Sequence, residues 1–340
     1  RDRVCASSSA TVVLDGSEQL RGRPMGDLWE ALETLGASVT DLGVPGYLPV
    51  EVTGPRDGVK ARRVEVRGDS SSQFLSGLLL AAPVLPKGLE VVVTTPLVSV
   101  PYVEMTLAVM ESFGARVERH DDLQRIVVAP GGYVACDYRV EPDASAASYF
   151  LALAAVTGGE VTVEGLGRDS LQGDVAFARV LGRMGAEVQL SADSTTVRGT
   201  GQLRCAEVDM SEISDTAQTL AAIAPLASSA TQVEGIGFIR RKETDRIAAV
   251  VAELSRLGID ASETPDGFVV QPGRPRPGVV QTYDDHRMAM SFAVLGLVEP
   301  GISIADPGCV AKTFPGFWDT IGEIRAGTGT AGDGPGVAPA

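Results

Sequence analysis

Cysteine and histidine are scarce in this chain of 340 residues, which has four of the first and two of the second. Cys5, Cys136, Cys205 and Cys309 lie far apart and form no C-x-x-C pair. This argues against zinc ligation and against a secreted disulfide framework, so reduced thiols in a cytoplasmic setting are expected. Long apolar runs are missing as well. The longest, Phe74 to Leu85, is interrupted by Ser76, Gly77 and Pro83 and falls short of the roughly 18–20 residues of a membrane span. Basic residues are outnumbered 29 to 44, for a net charge of −15, which argues against a nucleic-acid or anionic-membrane partner. Small anions stay open, because they respond to local charge. There is no P-loop, no G-x-G-x-x-G after a strand and no metal-ligand spacing. The chain opens on Arg1 with no signal peptide after it. What is present is a globular composition, 44% hydrophobic and 21% charged, with length for two domains.

Self-similarity organises the rest. One helix type recurs as GDLWEALETLGASV from Gly26, PYVEMTLAVMESFGARV from Pro101, GDVAFARVLGRMGAEV from Gly173 and DRIAAVVAELSRLGID from Asp245. In the last, Ile247, Val250, Val251, Leu254 and Leu257 form one apolar stripe of helical period. Each segment stops at a glycine suited to a left-handed C′ position, namely Gly36, Gly114, Gly185 and Gly258, and a β-like stretch follows each. A second type alternates with the first: SSQFLSGLLLAAPV from Ser71, DASAASYFLALAAV from Asp143, SDTAQTLAAIAPLA from Ser214 and DDHRMAMSFAVLGLV from Asp284. Each opens on Ser or Asp, good N-cap residues, and is then apolar on nearly every face, as a fully buried helix is. The predicted unit is strand, buried helix, strand, surface helix, strand, over about 72 residues. A last surface-type segment, FPGFWDTIGEI, ends near Ile324, making four buried and five surface helices. The Gly-, Ala- and Pro-rich residues 325–340 are expected to be disordered.

The buried helices begin in polar clusters, and helix N-termini suit anions. Ser71, Ser72 and Gln73 offer hydroxyls and an amide there, either as plain capping or as ligand contacts. In RRKETDR, residues 240–246, Lys242 and Arg246 are four apart, which places them on one helix face, and Glu243 is spaced to pair with Arg246. Cations at a helix start oppose the dipole, so the cluster is either a solvated turn or a binding device. DDHRMAM places His286 and Arg287 at the mouth of an apolar helix, with Asp284 or Asp285 as the partner that Arg287 requires. Lys312 and Arg23 stand at other loop-to-helix junctions. Converging, these cations would hold a ligand with several negative charges, such as a phosphate plus a carboxylate. Asp215 and Glu243 are then candidate proton-transfer groups.

In LRGRPMG, SSQFLSGLL, LVSVPYVEMT, EPDASAASYFLA, SDTAQT, KETDR, YDDHRMAM and DPGCVAKTFP the chain resembles the enolpyruvyl transferases, specifically the 5-enolpyruvylshikimate-3-phosphate synthase family, from about residue 12 to 324. The resemblance implies an α/β fold of two lobes, each of three βαβαββ units around a pseudo-threefold axis. Residues 1–140 would be what the chain has of the shikimate-phosphate lobe, about two units, and 141–324 the second lobe with the phosphoenolpyruvate clamp. It matches Ser71, Ser72, Gln73, Ser99, Tyr102, Asp215 and Lys242 to shikimate 3-phosphate contacts. It matches Arg23, Gln73, Arg246, His286, Arg287 and Lys312 to the phosphoenolpyruvate site. The implied reaction transfers the enolpyruvyl group to the 5-hydroxyl of shikimate 3-phosphate by addition and elimination. Glu243 acts as acid, with Asp215 and Lys242 as base and shuttle. The implied enzyme is a cytoplasmic monomer of aromatic amino acid biosynthesis that needs no metal or organic cofactor.

Several features depart from the family pattern. The Gly-Ser-Lys-Ser-like and Asn-Ala-Gly-Thr-like motifs are not in this chain, and RDRVCASSSATVVLDG aligns just after the family's second buried helix. One surface-type and two buried-type helices would precede it. Two expectations follow: the chain taken alone turns over little, and apolar faces near Leu79 and Leu107 are exposed. Phe238 stands where the family commonly has Asn, and Arg241 where it is often apolar, which opens the reading of a related transferase with a modified acceptor. A chain that only binds ligand or partner is a further alternative. The sister transferase acting on UDP-N-acetylglucosamine is disfavoured, because its reactive Cys has no counterpart in DGSEQLRGRP.

Overall fold

The structure, a computed structural model, describes residues 10–69 and 71–326. The chain divides into two compact units. One holds the described residues up to Val140 together with Arg241–Glu243, and the other holds Glu141–Arg240 and the residues from Thr244 onward.

The first unit begins with β1 (Thr11–Leu14), a single helical turn α1 (Glu18–Arg21) and α2 (Gly26–Thr34), followed by β2 (Ser38–Asp41), β3 (Val50–Thr53) and β4 (Arg63–Val66). Then come α3 (Ser72–Ala81), β5 (Leu89–Val93), α4 (Val100–Ser112), β6 (Val117–His120) and β7 (Arg125–Val128). One sheet has the antiparallel order β1-β3-β2 and the other the mixed order β4-β5-β7-β6, with β4 and β5 parallel. Parallel neighbours need a crossover, and α3 supplies it. Its cap is Ser71, whose hydroxyl accepts from the Gln73 N–H at 3.3 Å.

The second unit runs α5 (Ala144–Thr157), β8 (Glu160–Glu164), α6 (Phe177–Arg183), β9 (Glu187–Leu190), β10 (Ser194–Arg198), β11 (Glu207–Asp209), α7 (Ala217–Ile223) and β12 (Thr231–Glu234). It continues with α8 (Arg246–Arg256), β13 (Ala261–Thr264), β14 (Gly267–Val270), β15 (Gly278–Val280), α9 (His286–Val298), β16 (Ile302–Ile304) and α10 (Phe317–Arg325). The sheet β11-β12-β14-β13 repeats the order and strand senses of β4-β5-β7-β6. Helices α7 and α9 cross over between the parallel pairs β11/β12 and β15/β16, as α3 does in the first unit. The repeat therefore holds one strand more than the residue pattern predicts, because the surface helix is followed by a hairpin. Thr264 and Gly267 close one such hairpin around Pro265 and Asp266.

Helices α5, α7 and α9 pack on one another at the centre of the second unit's core. Each donates one hydroxyl to the same place. Ser148 meets Thr219 at 3.0 Å and Thr219 meets Ser291 at 3.4 Å, at sequence separations of 71 and 72 residues. Buried hydroxyls cost stability unless partnered, and here the repeat partners them with one another.

Gly36, Gly114, Gly185 and Gly258 all have φ between 82° and 105°, and each helix they close is followed by a strand, as the sequence predicts. The openings differ more. Asp143 and Asp245 cap α5 and α8, but Asp285 rather than Asp284 caps α9. Ser214 opens a 3-10 turn without a side-chain cap, and the segment from Gly173 also begins as a 3-10 turn.

Leu79 and Leu107 themselves are 0% accessible, inside a core that joins α3 and α4 to the sheet of β4, β5 and β7. Beside Leu79 the expectation holds, since Leu80 and Val84 are exposed and Leu78, Ala81 and Leu85 line a cavity of about 540 Å³ together with Trp29, Leu32 and Leu35 among others. Helix α10 reaches Arg325, one residue into the segment read as disordered, and residues 327–340 lie outside the described residues. Among the described residues, no helix is long and apolar enough to cross a membrane.

Candidate functional site

In the second unit three helix starts meet. Asp215 lies in the turn ahead of α7, Arg246 is the first residue of α8, and Arg287 is the second residue of α9. The Arg246 guanidinium spans two carboxylates, donating from Nη1 to Asp215 at 3.0 Å and from Nε to Asp285 at 2.8 Å. Arg287 reaches the same Asp215, at 2.7 Å through Nη2 and at 3.3 Å to its backbone carbonyl. The Arg246 side chain is 2% exposed and that of Asp285 is 0%. Such burial is tolerable because each charge is neutralised and hydrogen-bonded. Asp285 also caps α9 by accepting from the Arg287 N–H at 2.9 Å, and His286 is buried beside it, Nδ1 at 3.8 Å from the carboxylate. Lys312 is the last residue of a 3-10 turn, Pro307–Lys312, that packs on α9.

Two pairings that the sequence does not offer appear in the structure. The Arg287 side chain bonds to Asp215, and Glu243 bonds to Arg23 at 2.9 Å. The shared helix face expected for Lys242 and Arg246 is corrected, because of where the helix begins. Asp245 caps α8, so Lys242 and Glu243 sit in the preceding loop and share no helix face with Arg246. Arg240, treated only as part of a charged run, is a staple: it donates to Asp245, to Glu263 and to the Thr264 carbonyl.

The first unit carries the other residues. The carboxylate of Glu243 pairs with Arg23, and its backbone carbonyl accepts from Gln19 at 3.1 Å. Lys242 is half-buried next to it in sequence. Ser71 and Ser72 open α3, with Ser72 buried and Gln73 exposed. Ser99 precedes α4 in the left-handed region, φ 56°, and is buried, and Tyr102 lies in the first turn of that helix. Among the described residues, no group of three His, Cys, Asp or Glu side chains is placed to hold a metal ion.

The family model for EPSP synthase (3-phosphoshikimate 1-carboxyvinyltransferase) matches residues 3–321. The chain belongs to the EPSP synthase family. A 3-phosphoshikimate 1-carboxyvinyltransferase of Nostoc punctiforme is 47% identical over 305 residues, which are 90% of this chain and 71% of that protein. One from Methanosphaerula palustris is 44% identical over 318 residues, 94% of this chain and 74% of the relative. Among solved structures, the EPSP synthase of Acinetobacter baumannii aligns with a TM-score of 0.74 at 26% identity, covering 96% of this chain and 75% of that one. The two-lobed α/β architecture expected from sequence is that of the EPSP synthase fold.

Within this EPSP synthase family member, two buried groups beside the second-unit cluster escape a sequence reading. Tyr149 on α5 is fully buried, and burial pushes its phenol up to about 12, so the hydroxyl stays neutral. Its ring meets Phe317 edge to face, centroids 6.0 Å apart. Glu253 on α8 is also fully buried. The SYFLALAA and AAVVAELS stretches give no hint that either polar group matters, since both read as ordinary helix positions.

Proposed function

We propose that the protein carrying this sequence transfers the enolpyruvyl group of phosphoenolpyruvate to the 5-hydroxyl of shikimate 3-phosphate and releases phosphate. Family membership supports this reading. The single observation that carries it is the gathering of Arg246 and Arg287 on one carboxylate, Asp215, by three helix starts of the second unit. Two oriented guanidiniums give planar, bidentate donors for a phosphate and a carboxylate, the two anionic groups of phosphoenolpyruvate. We assign the described part of residues 1–140 to shikimate 3-phosphate, through Ser71, Ser72, Gln73, Ser99, Tyr102 and Lys242. Residues 141–324 then provide the clamp for phosphoenolpyruvate, with Arg246, His286, Arg287 and Lys312.

In this reading Glu243 delivers a proton to the methylene carbon of phosphoenolpyruvate, and the cationic C2 that develops is attacked by the acceptor hydroxyl. Asp215 and Lys242 receive and shuttle the hydroxyl proton. In the elimination step a proton leaves the C3 methyl group for the carboxylate of Glu243 as the C2–O bond to phosphate breaks, which forms the double bond of the enol ether and releases phosphate. The reading calls for no metal or organic cofactor, because side-chain cations hold the anionic groups and positioning lowers the barrier. A cytoplasmic setting belongs to the same reading and is supported by the free thiols of Cys136, Cys205 and Cys309.

Lys312→Ala tests the assignment at an exposed position, outside the buried core. The substitution is expected to cut kcat/KM for phosphoenolpyruvate by about 100-fold, the loss typical of removing one electrostatic donor. The KM for shikimate 3-phosphate should stay near wild type. A variant with unchanged kcat/KM would show that Lys312 is not part of the clamp.

A further inference from the structure

Glu253 is a fully buried carboxylate that the mechanism above does not use. It lies on the buried side of α8, among Val250, Leu254 and Ile247, where an unpaired charge would be expensive. Its two oxygens are fully engaged. Arg256 donates from the same helix at 3.0 and 3.3 Å. The other donors come from the loop ahead of α9: the Gln281 N–H at 2.9 Å to Oε2 and the Tyr283 hydroxyl at 2.7 Å to Oε1. A local ion pair alone would need only Arg256. The extra donors tie a loop to a helix.

That loop has an unusual backbone. Tyr283 and Asp284 are both left-handed, with φ of 56° and 54°. A bulky non-glycine residue holds that conformation only where its surroundings impose it. The Tyr283 hydroxyl on Glu253 is one restraint, and the Asp285 N–H to the Thr282 carbonyl at 2.9 Å is another. The turn delivers Asp285, which holds Arg246 and caps α9, directly before His286 and Arg287.

We infer that Glu253 is a positioning residue for the phosphoenolpyruvate clamp. Acting through Tyr283 and Gln281, it holds the left-handed turn that sets Asp285 and Arg287. Helix α8 thereby fixes the loop at two points, Arg246 on Asp285 at its start and Glu253 on Tyr283 two turns later. The inference rests on the functional reading above for its kinetic consequence, but not for its structural one.

The test compares Tyr283→Phe, which removes one hydroxyl, with Glu253→Gln, which keeps shape and one acceptor oxygen. Both are expected to raise the KM for phosphoenolpyruvate about 10-fold to 100-fold, as small misplacements of binding groups do, while the KM for shikimate 3-phosphate stays within about twofold. A purely structural role would lower folded fraction and affect both substrates alike. Amide hydrogen exchange of residues 285–287 gives a readout independent of turnover and should accelerate about 10-fold in Tyr283→Phe, with α7 amides unchanged. Unchanged exchange at residues 285–287 with an unchanged KM would overturn the inference. Faster exchange in a protein with no transferase activity would leave the positioning role standing and remove the functional reading instead.

Discussion

Arg246→Lys is expected to lose both stability and catalysis, although charge is conserved. The guanidinium reaches Asp285 from Nε and Asp215 from Nη1, on opposite edges of one plane. An ammonium is a point charge and cannot span both. Whichever carboxylate is released stays buried, since Asp285 has no exposure and Asp215 little. Breaking a buried pair in this way costs about 3–5 kcal/mol. Asp215 then keeps Arg287 but loses the Arg246 donor, so the orientation of the remaining guanidinium relaxes. Together these changes should lower kcat/KM for phosphoenolpyruvate by about 100-fold to 1000-fold. Urea unfolding and steady-state kinetics check the two halves separately. A variant that keeps wild-type stability would mean the spanning geometry carries no weight.

Glu243→Gln is expected to separate binding from chemistry. In the structure the carboxylate accepts from Arg23 at 2.9 Å, and a glutamine oxygen can still accept that bond, so the local fold should persist. If Glu243 is the acid, as proposed, proton delivery cannot persist, because an amide has no proton of carboxylic acidity to give. Loss of a positioned acid typically lowers turnover by about 100-fold to 10,000-fold. The KM for phosphoenolpyruvate should move far less, because glutamine leaves Arg23 partnered. Deuterium incorporation into the transferred methylene from heavy water should slow in step with turnover. Turnover near wild type would exclude Glu243 as the acid and transfer the role to another group.

Features set by local chemistry were legible in the sequence. Glycine stops at Gly36, Gly114, Gly185 and Gly258 follow from the one residue that accepts a positive φ without cost. The stripe of Ile247, Val250, Leu254 and Leu257 is buried as its period requires, and the Asp143 and Asp245 caps act where short acceptors precede apolar runs. The repeat itself was visible because each unit must bury a similar helix. Through-space pairing was not legible. Lys242 and Glu243 read as part of a helix, but Asp245 caps α8 and leaves them in the preceding loop, and Glu243 meets Arg23, 220 residues away in sequence. The second strand of each hairpin, implied by the family resemblance, is not visible in the residue pattern for a different reason. Short polar strands such as Ser194–Arg198 carry no apolar alternation, although the Pro265–Asp266–Gly267 turn is a hairpin signal that does identify one. Glu253 is the hardest case, since a glutamate on a helix reads as solvent-facing and only the fold reveals that Tyr283 and Gln281 converge on it.

The account turns on two-substrate chemistry by this set of residues, and phosphate release measured with each substrate present or omitted tests it most directly. The protein carrying this sequence is expected to release phosphate from phosphoenolpyruvate only when shikimate 3-phosphate is present, with one enolpyruvyl ether formed per phosphate. Phosphate release that is independent of shikimate 3-phosphate, or none with both substrates present, would contradict it.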